Sequence, residues 1–526
     1  MFVTDTRESR KLDQLAMASG LAGVVLMENA SRSIFKAALE FWPQLGQDLA
    51  LPVVILAGSG QNGGDGLVLA RLFDALGHPT VVYQVGHEPN GDAAINYQIL
   101  VNLGLPPLTI RQSSDPLPVI PKEALLVDAL FGTGLTKPIT GVALPVLKAA
   151  SDHPGPVLAV DLPSGLSGDT GDALGPVIKA HLTVTVGAYK RGLFLKDGPD
   201  LSGLVKVADL GLSPRMLAKA APKGRYLDDN LARTFLPPRP ESGHKGTFGH
   251  AVLTGGGVGR TGALALATLG ALRSGCGLVT AAAPGSLASN ATRDLHSAMT
   301  LALPEDEPGT FAAAGEAPLL NFLALKKKAL GLGPGMGLNP GSRALIQSLA
   351  ENVPQPVVLD ADALTALAGN LEILAKAKGP RVITPHPGEG AALLGLSSKD
   401  IQNDRFGSLL ALGQKSQSVV LLKGKHTLIL EPKTGQYLVN STGGPILAVG
   451  GTGDILTGLI AGFLAQGLPP LAAAGLAAFA HGRAADLLAA KAGSRGIFPM
   501  EVVALLPLVI KGLSENLDFS KNVIEF

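Results

Sequence analysis

The feature that most limits the fold is a unit that recurs along the chain. A short apolar run leads into a turn of glycine with aspartate, asparagine or serine, and a helical pattern follows. In the first half such runs fall at residues 53–57, 80–85, 125–128 and 157–160, with a last strand and exit at 205–212. In the second half they fall at 250–256, 277–282, 329–332, 357–364, 381–384 and 419–422. Continuous apolar strands separated by helices belong to sheets buried on both faces, which are mostly parallel. At 526 residues the chain is too long for one core. The expected class is therefore α/β, with two doubly wound domains. The first is expected over residues 1–215 and the second over 225–526, with a linker at 213–225 ahead of Pro237, Pro238 and Pro240.

Composition excludes several classes of function. Hydrophobic residues make up 46% of the chain, enough for burial and too many for disorder. The net charge is +1, so no polyanion-binding surface is implied and nucleic acid is not an expected partner. The single cysteine, Cys276, excludes an intramolecular disulfide and any cysteine-cluster metal site, and it fits a reducing cytoplasm. Residues 1–14 are charged and lack the apolar core of a signal peptide. The longest apolar run, 455–468, is too short to span a bilayer and stops at Pro469 and Pro470. It reads as a buried helix, and no membrane partner is expected. The 67 glycines imply many tight turns and close backbone approaches.

Three strand ends stand out in the first half: GQNGGDG at 60–66, VDALFGTGL at 127–135 and VDLPSG at 160–165. Ligands of open parallel sheets bind at the carboxyl ends of strands, so Asn62, Asp128 and Ser164 are expected to converge. Their oxygens are hard donors that suit an alkali or alkaline-earth cation better than zinc. Strand, glycine loop and helix in succession have the layout of a Rossmann-like phosphate site. The spacing nevertheless departs from the dinucleotide fingerprint. Taken singly, each of these residues also serves as a turn or cap residue.

Together the three motifs resemble NAD(P)H-hydrate epimerase, which interconverts the R and S forms of the hydrated nicotinamide cofactors NADHX and NADPHX. The resemblance spans about residues 8–215 and implies a Rossmann-like three-layer sandwich. It implies potassium held by Asn62, Asp128 and Ser164. It also implies substrate contacts from Gln61, Asn62, Gly63, Gly64 and Asp65, from Gly132, Thr133, Gly134, Leu135, Thr136, Lys137 and Pro138, and from Asp161 as the acid/base residue. Gln61 departs from the family, which usually has asparagine there; the amide is kept and its reach lengthened.

The second half is organised around TGGPILAVGGTGDILTG at 442–458. A glycine-rich turn opening a helix aims backbone N–H groups and the positive end of the helix dipole at one point, which makes a phosphate site. Asp454 sits at its mouth. A carboxylate there repels phosphate, unless its task is to take a proton from a hydroxyl that attacks the phosphoryl group. Asp454 as a simple N-cap is the other reading. The motif KGTFGH at 245–250 leads into the first strand, and GPGMG at 333–337, TPHPGE at 384–389 and LKGKHT at 422–427 follow successive strands, ahead of GGTGD at 450–454. Asp360 and Asp362 are read singly as caps, and Lys423 to Thr427 as a hairpin turn.

In that order the motifs resemble the ADP- or ATP-dependent NAD(P)H-hydrate dehydratase, a branch of the ribokinase-like superfamily, over about residues 225–510. The resemblance implies adenine-nucleotide contacts from Lys423, Gly424, Lys425, His426, Thr427 and Gly453. It implies contacts to the hydrated dinucleotide from Ala263, Gly335, His386 and Asp454, and an anion hole of Gly451, Thr452 and Gly453. Magnesium is expected on the nucleotide, with Glu389 as a candidate ligand, and ADP is the expected donor. Asp454 is the expected catalytic base: phosphorylating the ring hydroxyl turns a poor leaving group into a good one, and elimination restores NADH or NADPH. The resemblance also implies a homo-oligomer. A competing reading is a ribokinase-like small-molecule kinase with an N-terminal binding module, since fold does not set function.

Overall fold

The computed structural model describes residues 1–324 and 328–517. It divides into two compact units, one spanning Met1–Gly224 and one beginning at Arg225.

In the first unit, seven strands of the described residues form a parallel sheet. Their order is Leu108–Ile110, Thr80–Val85, Val53–Ala57, Leu125–Ala129, Val157–Val160, Leu182–Val186 and Leu204–Ala208. From Val53–Ala57 the chain builds outward to one edge, then returns to Leu125–Ala129 and builds toward the other. The crevice at that reversal is where doubly wound sheets hold ligands. One face packs Ile34, Phe73 and Leu100 against Val53 and Ile55; the other packs Val146 and Leu147 against Val54 and Leu126. Each such fully buried large side chain contributes about 1.5–3 kcal/mol.

Two boundaries differ from expectation. The helix after the first glycine turn begins at Gln61, so Asn62 to Asp65 lie in its first turns rather than in a loop. The glycines that read as loop residues serve packing instead. A Cβ on Gly63 would lie 1.8 Å from the Gly58 carbonyl oxygen, and one on Gly66 would lie 2.6 Å from Ala129 Cβ. The stretch 213–225 holds a helix, Pro214–Ala220, and is not plain linker.

The second unit repeats the plan. Parallel strands run in the order Met299–Leu303, Leu278–Pro284, His250–Thr254, Lys328–Leu332, Val357–Leu359, Arg381–Ile383 and Val419–Leu422. The reversal falls between His250–Thr254 and Lys328–Leu332. An antiparallel hairpin, Leu428–Glu431 with Gln436–Asn440, then follows. This hairpin and the strand Met299–Leu303 break the simple alternation read from the sequence.

The apolar run after Asp454 is the expected buried helix, Thr452–Ala465, and its face from Ile455 to Ala465 is wholly buried. It lies in backbone contact with the helix Thr261–Arg273: a Cβ on Gly458 would lie 1.8 Å from the Ala267 carbonyl oxygen, and one on Gly270 would lie 2.3 Å from that of Ile455. Among the described residues no helix is long and apolar enough to cross a membrane.

Candidate active sites

The crevice of the first unit opens into a cavity of about 770 Å³. Of the residues singled out in the sequence, Gln61, Asn62, Asp65, Gly132, Thr133, Gly134, Leu135 and Asp161 line it. Gly63 and Gly64 face protein instead, against Gly58 and Met27. Thr136, Lys137 and Pro138 continue the second loop outside the lining.

Asp161 follows the strand Val157–Val160 with φ of 67°, a left-handed conformation that aspartate tolerates better than most residues. This turn aims its carboxylate back across the strand ends. Oδ1 lies 2.6 Å from Lys190 Nζ and accepts from the Thr185 hydroxyl and the Val186 amide, both at 3.1 Å. Oδ2 accepts from the Thr133 amide at 3.2 Å. Burial alone would push this carboxyl up. The charge and hydrogen bond of Lys190, with the Val186 and Thr185 bonds, outweigh burial and hold it below the usual range. Lys190 is itself almost wholly buried and also donates to the Val186 carbonyl at 2.6 Å.

Among the described residues no lysine pairs with Asp65, and Lys190 lowers it only weakly, by charge alone. Ser31 Oγ donates to its Oδ1 at 3.0 Å, yet burial pushes it up to about 8. Asp13 on the helix Thr6–Ala18 faces the same cavity and is pushed up to about 6 by the protein crowded around it, against the pull of Lys190.

Asp128 and Ser164 meet behind the cavity. The Ser164 amide and hydroxyl donate to the two Asp128 carboxylate oxygens at 2.7 and 2.5 Å. Asp128 is fully buried and pushed up to about 6 by that burial, and no basic side chain of the described residues forms an ion pair with it. Asn62 lies across Gly132 from Asp161: a Cβ on Gly132 would meet Asp161 Oδ2 at 2.8 Å and Asn62 Oδ1 at 2.9 Å. Among the described residues, Asn62 Nδ2 is buried without a hydrogen-bond partner.

In the second unit, Gly451 caps the helix Thr452–Ala465 at φ of 97°, and Asp454 stands in its first turn. First-turn N–H groups have no partner within a helix, so the amides of Thr452, Gly453 and Asp454 mark its donor end. A Cβ on Gly453 would lie 3.6 Å from both Lys423 Nζ and Asp360 Oδ2. Lys423 pairs with Asp360 at 2.8 Å and with Glu389 at 3.6 Å. Thr457 Oγ1 donates to Asp360 Oδ2 at 2.7 Å. Burial raises Asp454, as do Asp360, Asp362 and Glu389, while Lys423 lowers it; the balance puts it at about 7.

Asp360 and Asp362 do more than cap a helix. Ala361 between them is held at φ of 50° and ψ of −122°, a strained conformation for a residue with a Cβ. It splits the two carboxylates. Asp360 turns to Lys423, and Asp362 Oδ2 pairs with Arg260 Nη1 at 3.1 Å and accepts from the Gly337 amide at 2.8 Å. Gly335 and Ala263 are neighbours, a Cβ on Gly335 lying 3.2 Å from Ala263 Cβ.

His386 caps the helix Pro387–Leu394: its Nδ1 accepts from the Gly388 and Glu389 amides at 3.0 and 3.3 Å. Nδ1 is thereby the acceptor and Nε2 the half carrying the proton. Glu389 reaches back to the His386 amide at 2.8 Å, which commits it to the cap and to Lys423. The Lys423 amide donates to the Pro385 carbonyl at 2.9 Å, tying the two loops together.

The loop Lys423 to Thr427 is shaped from behind by Arg405. Its guanidinium donates to the Lys425 carbonyl at 2.5 Å, and Gly424, at φ of 146°, passes so close that a Cβ would lie 2.8 Å from Nη2. His426, at φ of 49°, turns inward, its Nδ1 3.3 Å from the Asn440 carbonyl. Lys190, Asp13 and Arg405 were not singled out in the sequence. No motif marks them, although Lys190 ends the apolar strand pattern at 182–190 and is a charged residue at a strand end.

Two units built on the same plan, each with a carboxylate at its reversal point, define a two-site α/β enzyme. The family model described as YjeF-related protein N-terminus matches residues 23–192, and the one described as NAD(P)H-hydrate dehydratase matches residues 251–507. The bifunctional NAD(P)H-hydrate repair enzyme Nnr of Moorella thermoacetica is 38% identical over 525 residues, covering 98% of each chain. That of Coxiella burnetii is 36% identical over 96% of this chain and 98% of its own. Among solved structures, the ADP/ATP-dependent NAD(P)H-hydrate dehydratase from Bacillus subtilis, co-crystallized with ATP/Mg2+, is 30% identical with a TM-score of 0.48, covering 55% of this chain and 98% of that one. The chain belongs to the family of bifunctional NAD(P)H-hydrate repair enzymes, with an epimerase and a dehydratase domain.

Proposed function

We propose that the first unit interconverts R and S NADHX and NADPHX at the cavity around Asp161, and that the second unit dehydrates the S form at Asp454. The observation that carries the second assignment is Asp454 itself: a carboxyl balanced at about 7, in the first turn of a donor-rich helix, beside Lys423. Such a group is half ionised at neutral pH, which suits a base that must take a proton and pass it on.

In the dehydratase, the adenine nucleotide, ADP before ATP, lies along the loop of Lys423, Gly424, Lys425, His426 and Thr427. The amides of Gly451, Thr452 and Gly453 offset charge on the moving phosphoryl group. The hydrate lies against Ala263, Gly335 and His386, whose Nε2 stands 3.6 Å from Glu389 Oε1. Asp454 takes the ring hydroxyl proton as the oxygen accepts the terminal phosphoryl group, whose bond to the nucleotide breaks to release AMP from ADP or ADP from ATP. Phosphate then leaves with the C–O bonding pair, a neighbouring ring proton is lost, and the reduced ring is restored. Among the described residues no group of three or more His, Cys, Asp or Glu forms a metal site. Magnesium is expected as an ion carried on the nucleotide phosphates, where it would neutralise charge.

In the epimerase, Asp161 is the acid/base group. Potassium fits the donor set: Asp128 is a buried carboxylate without a basic partner, and the Ser164 and Asn62 oxygens are hard ligands. When bound there, potassium supplies the missing positive charge beside the loop of Gly132 and Thr133. The same reading carries a cytoplasmic location and assembly into a homo-oligomer.

The test is absorbance of the reduced nicotinamide band, with a mixture of R and S hydrates, magnesium, potassium and either ADP or ATP. Full recovery from both epimers with one nucleotide supports both assignments and names the donor. Recovery of one epimer alone removes the epimerase assignment. No recovery, with a stable phosphorylated product instead, replaces the dehydratase by a small-molecule kinase.

A further inference from the structure

The epimerase reading needs two proton-transfer groups. The hydrated ring carbon bears a hydroxyl and is bonded to the ring nitrogen, so it is a hemiaminal carbon. Inverting it by ring opening requires a base for the hydroxyl proton and an acid for the nitrogen. The Asp161–Lys190 pair accounts for one. Asp161 is held ionised, and both its oxygens already accept hydrogen bonds.

A second carboxyl faces the same space. Asp13 lines the 770 Å³ cavity and also an adjoining, mostly apolar one of about 310 Å³ walled by Met17, Leu26, Met27 and Leu210. It therefore stands at the junction of the two chambers. Its position is built rather than incidental. The helix Thr6–Ala18 is fixed at its start by the reciprocal Asp5 and Glu8 cap and by Asp169, whose carboxylate accepts from the Thr6 amide at 2.7 Å and hydroxyl at 2.8 Å. The strand before it, Phe2–Thr4, pairs in parallel with Tyr189–Lys190, with Thr4 opposite Lys190. One short ladder thus sets Asp13 relative to the lysine that serves Asp161. No hydrogen bond occupies the Asp13 carboxyl among the described residues, and crowding moves it to about 6, within reach of either protonation state at neutral pH. Arg10 and Gln14 from its own helix, Lys190 and Asp161 across the cavity, and Gln61, Asp65 and Asp92 at the junction are the polar groups around it.

We propose that Asp13 is the second acid/base group of the epimerase site, serving the ring nitrogen while the Asp161–Lys190 pair serves the hydroxyl. This rests on the epimerase reading of the first unit. In the forward step Asp161 takes the hydroxyl proton, and the carbon–nitrogen bond breaks with its electron pair going to nitrogen. Asp13 delivers a proton to that nitrogen, leaving a ring-opened aldehyde and an N–H. Rotation about the adjacent carbon–carbon bond presents the other aldehyde face. Closure then reverses each transfer, returning one proton to Asp13 and one from Asp161 to oxygen. No atom is gained or lost and nothing is oxidised.

The experiment measures epimerisation and S-hydrate dehydration in the full chain for wild type, Asp13→Asn and Asp13→Glu, across pH. For Asp13→Asn, kcat of epimerisation should fall about 100-fold or more, with KM within a few-fold and dehydration unchanged. The wild-type rate should decline on the alkaline side as Asp13 loses its proton, the residual Asp13→Asn rate should lack that decline, and Asp13→Glu should restore part of it. Wild-type kcat in Asp13→Asn, an unchanged alkaline limb, or a rise in KM alone would overturn the proposal while leaving the epimerase reading in place. A wild-type chain that dehydrates but never epimerises would overturn both.

Discussion

Asp161 in the first unit has a lysine of its own, whereas Asp454 in the second shares one. Both stand at strand or helix ends beside the reversal point of a parallel sheet. Lys190 makes its contact with Asp161 and is wholly buried, so one carboxylate receives a full counter-charge and stays low. Lys423 is divided among Asp360 and Glu389 before it reaches Asp454, and burial, joined by the surplus negative charge of Asp360, Asp362 and Glu389, lifts Asp454 to about 7. The difference teaches that, among buried carboxylates, direct contact with a lysine sorts a fixed anion from a titrating base.

The comparison breaks most cleanly with Asp454→Asn. Dehydration should drop by about 100-fold or more, the scale of a lost general base, while epimerisation of the same chain is untouched. A mutant with most of its dehydratase rate would show that the shared lysine serves another group. Asp128→Asn keeps the shape of a buried acceptor and removes its charge. Epimerisation should fall about 10-fold or more and lose its response to potassium, since charge-assisted contacts in dry sites are worth about 1.5–3 kcal/mol. A potassium titration like that of wild type would take Asp128 out of the cation site.

Asp360→Asn sharpens the comparison by changing the ratio of carboxylates to lysine. It removes one charge that raises Asp454 and releases Lys423 to it, and both effects lower the Asp454 pKa. Wild-type dehydration should rise with pH through about 7, as the base ionises. The mutant's rise should lie at lower pH, and a limb that stays in place would refute the sharing.

The smallest effect concerns Asp65, with which no lysine of the described residues pairs. Its folded pKa of about 8 lies above the ordinary 3.8, so the folded state holds a proton that the unfolded chain releases. The stability it contributes is complete below about pH 4 and is lost as pH rises through 8. Denaturant midpoints of the first unit's transition should fall between pH 5 and 9. Asp65→Asn should flatten that slope.

Strand positions were the most legible part of the fold. The runs Val53–Ala57, Thr80–Val85, Val157–Val160 and Val419–Leu422 fall where the apolar pattern puts them, because strands buried on both faces tolerate no interruption. The helix start at Gln61 was hidden because glycine marks a loop and a close backbone approach in the same way. Asp161, Lys423 and His386 were legible as residues following strands, and Asp454 as the acid at a glycine-rich turn opening a helix. Lys190, Asp13 and Arg405 were not, since each reaches its partner by tertiary packing. Lys190 lies 29 residues beyond Asp161, and Arg405 holds the carbonyl of a residue 20 positions later. Resemblance named Ala263 and Gly335 as substrate contacts, and the structure makes them neighbours, which no local pattern would suggest.

The backbone contact between Thr261–Arg273 and Thr452–Ala465 makes those two helices a single gauge block. One bears Ala263, where the hydrate is expected to rest; the other bears Asp454. With the carbonyl of Ala267 lying where a Gly458 Cβ would have to go, no side chain stands between the helices there to yield. The distance from substrate rest to base is thus machined into the main chain. A single added methyl at Gly458, about one turn of helix from Asp454 and facing a point about one turn from Ala263, would misalign the site like a shim under one jaw of a vice.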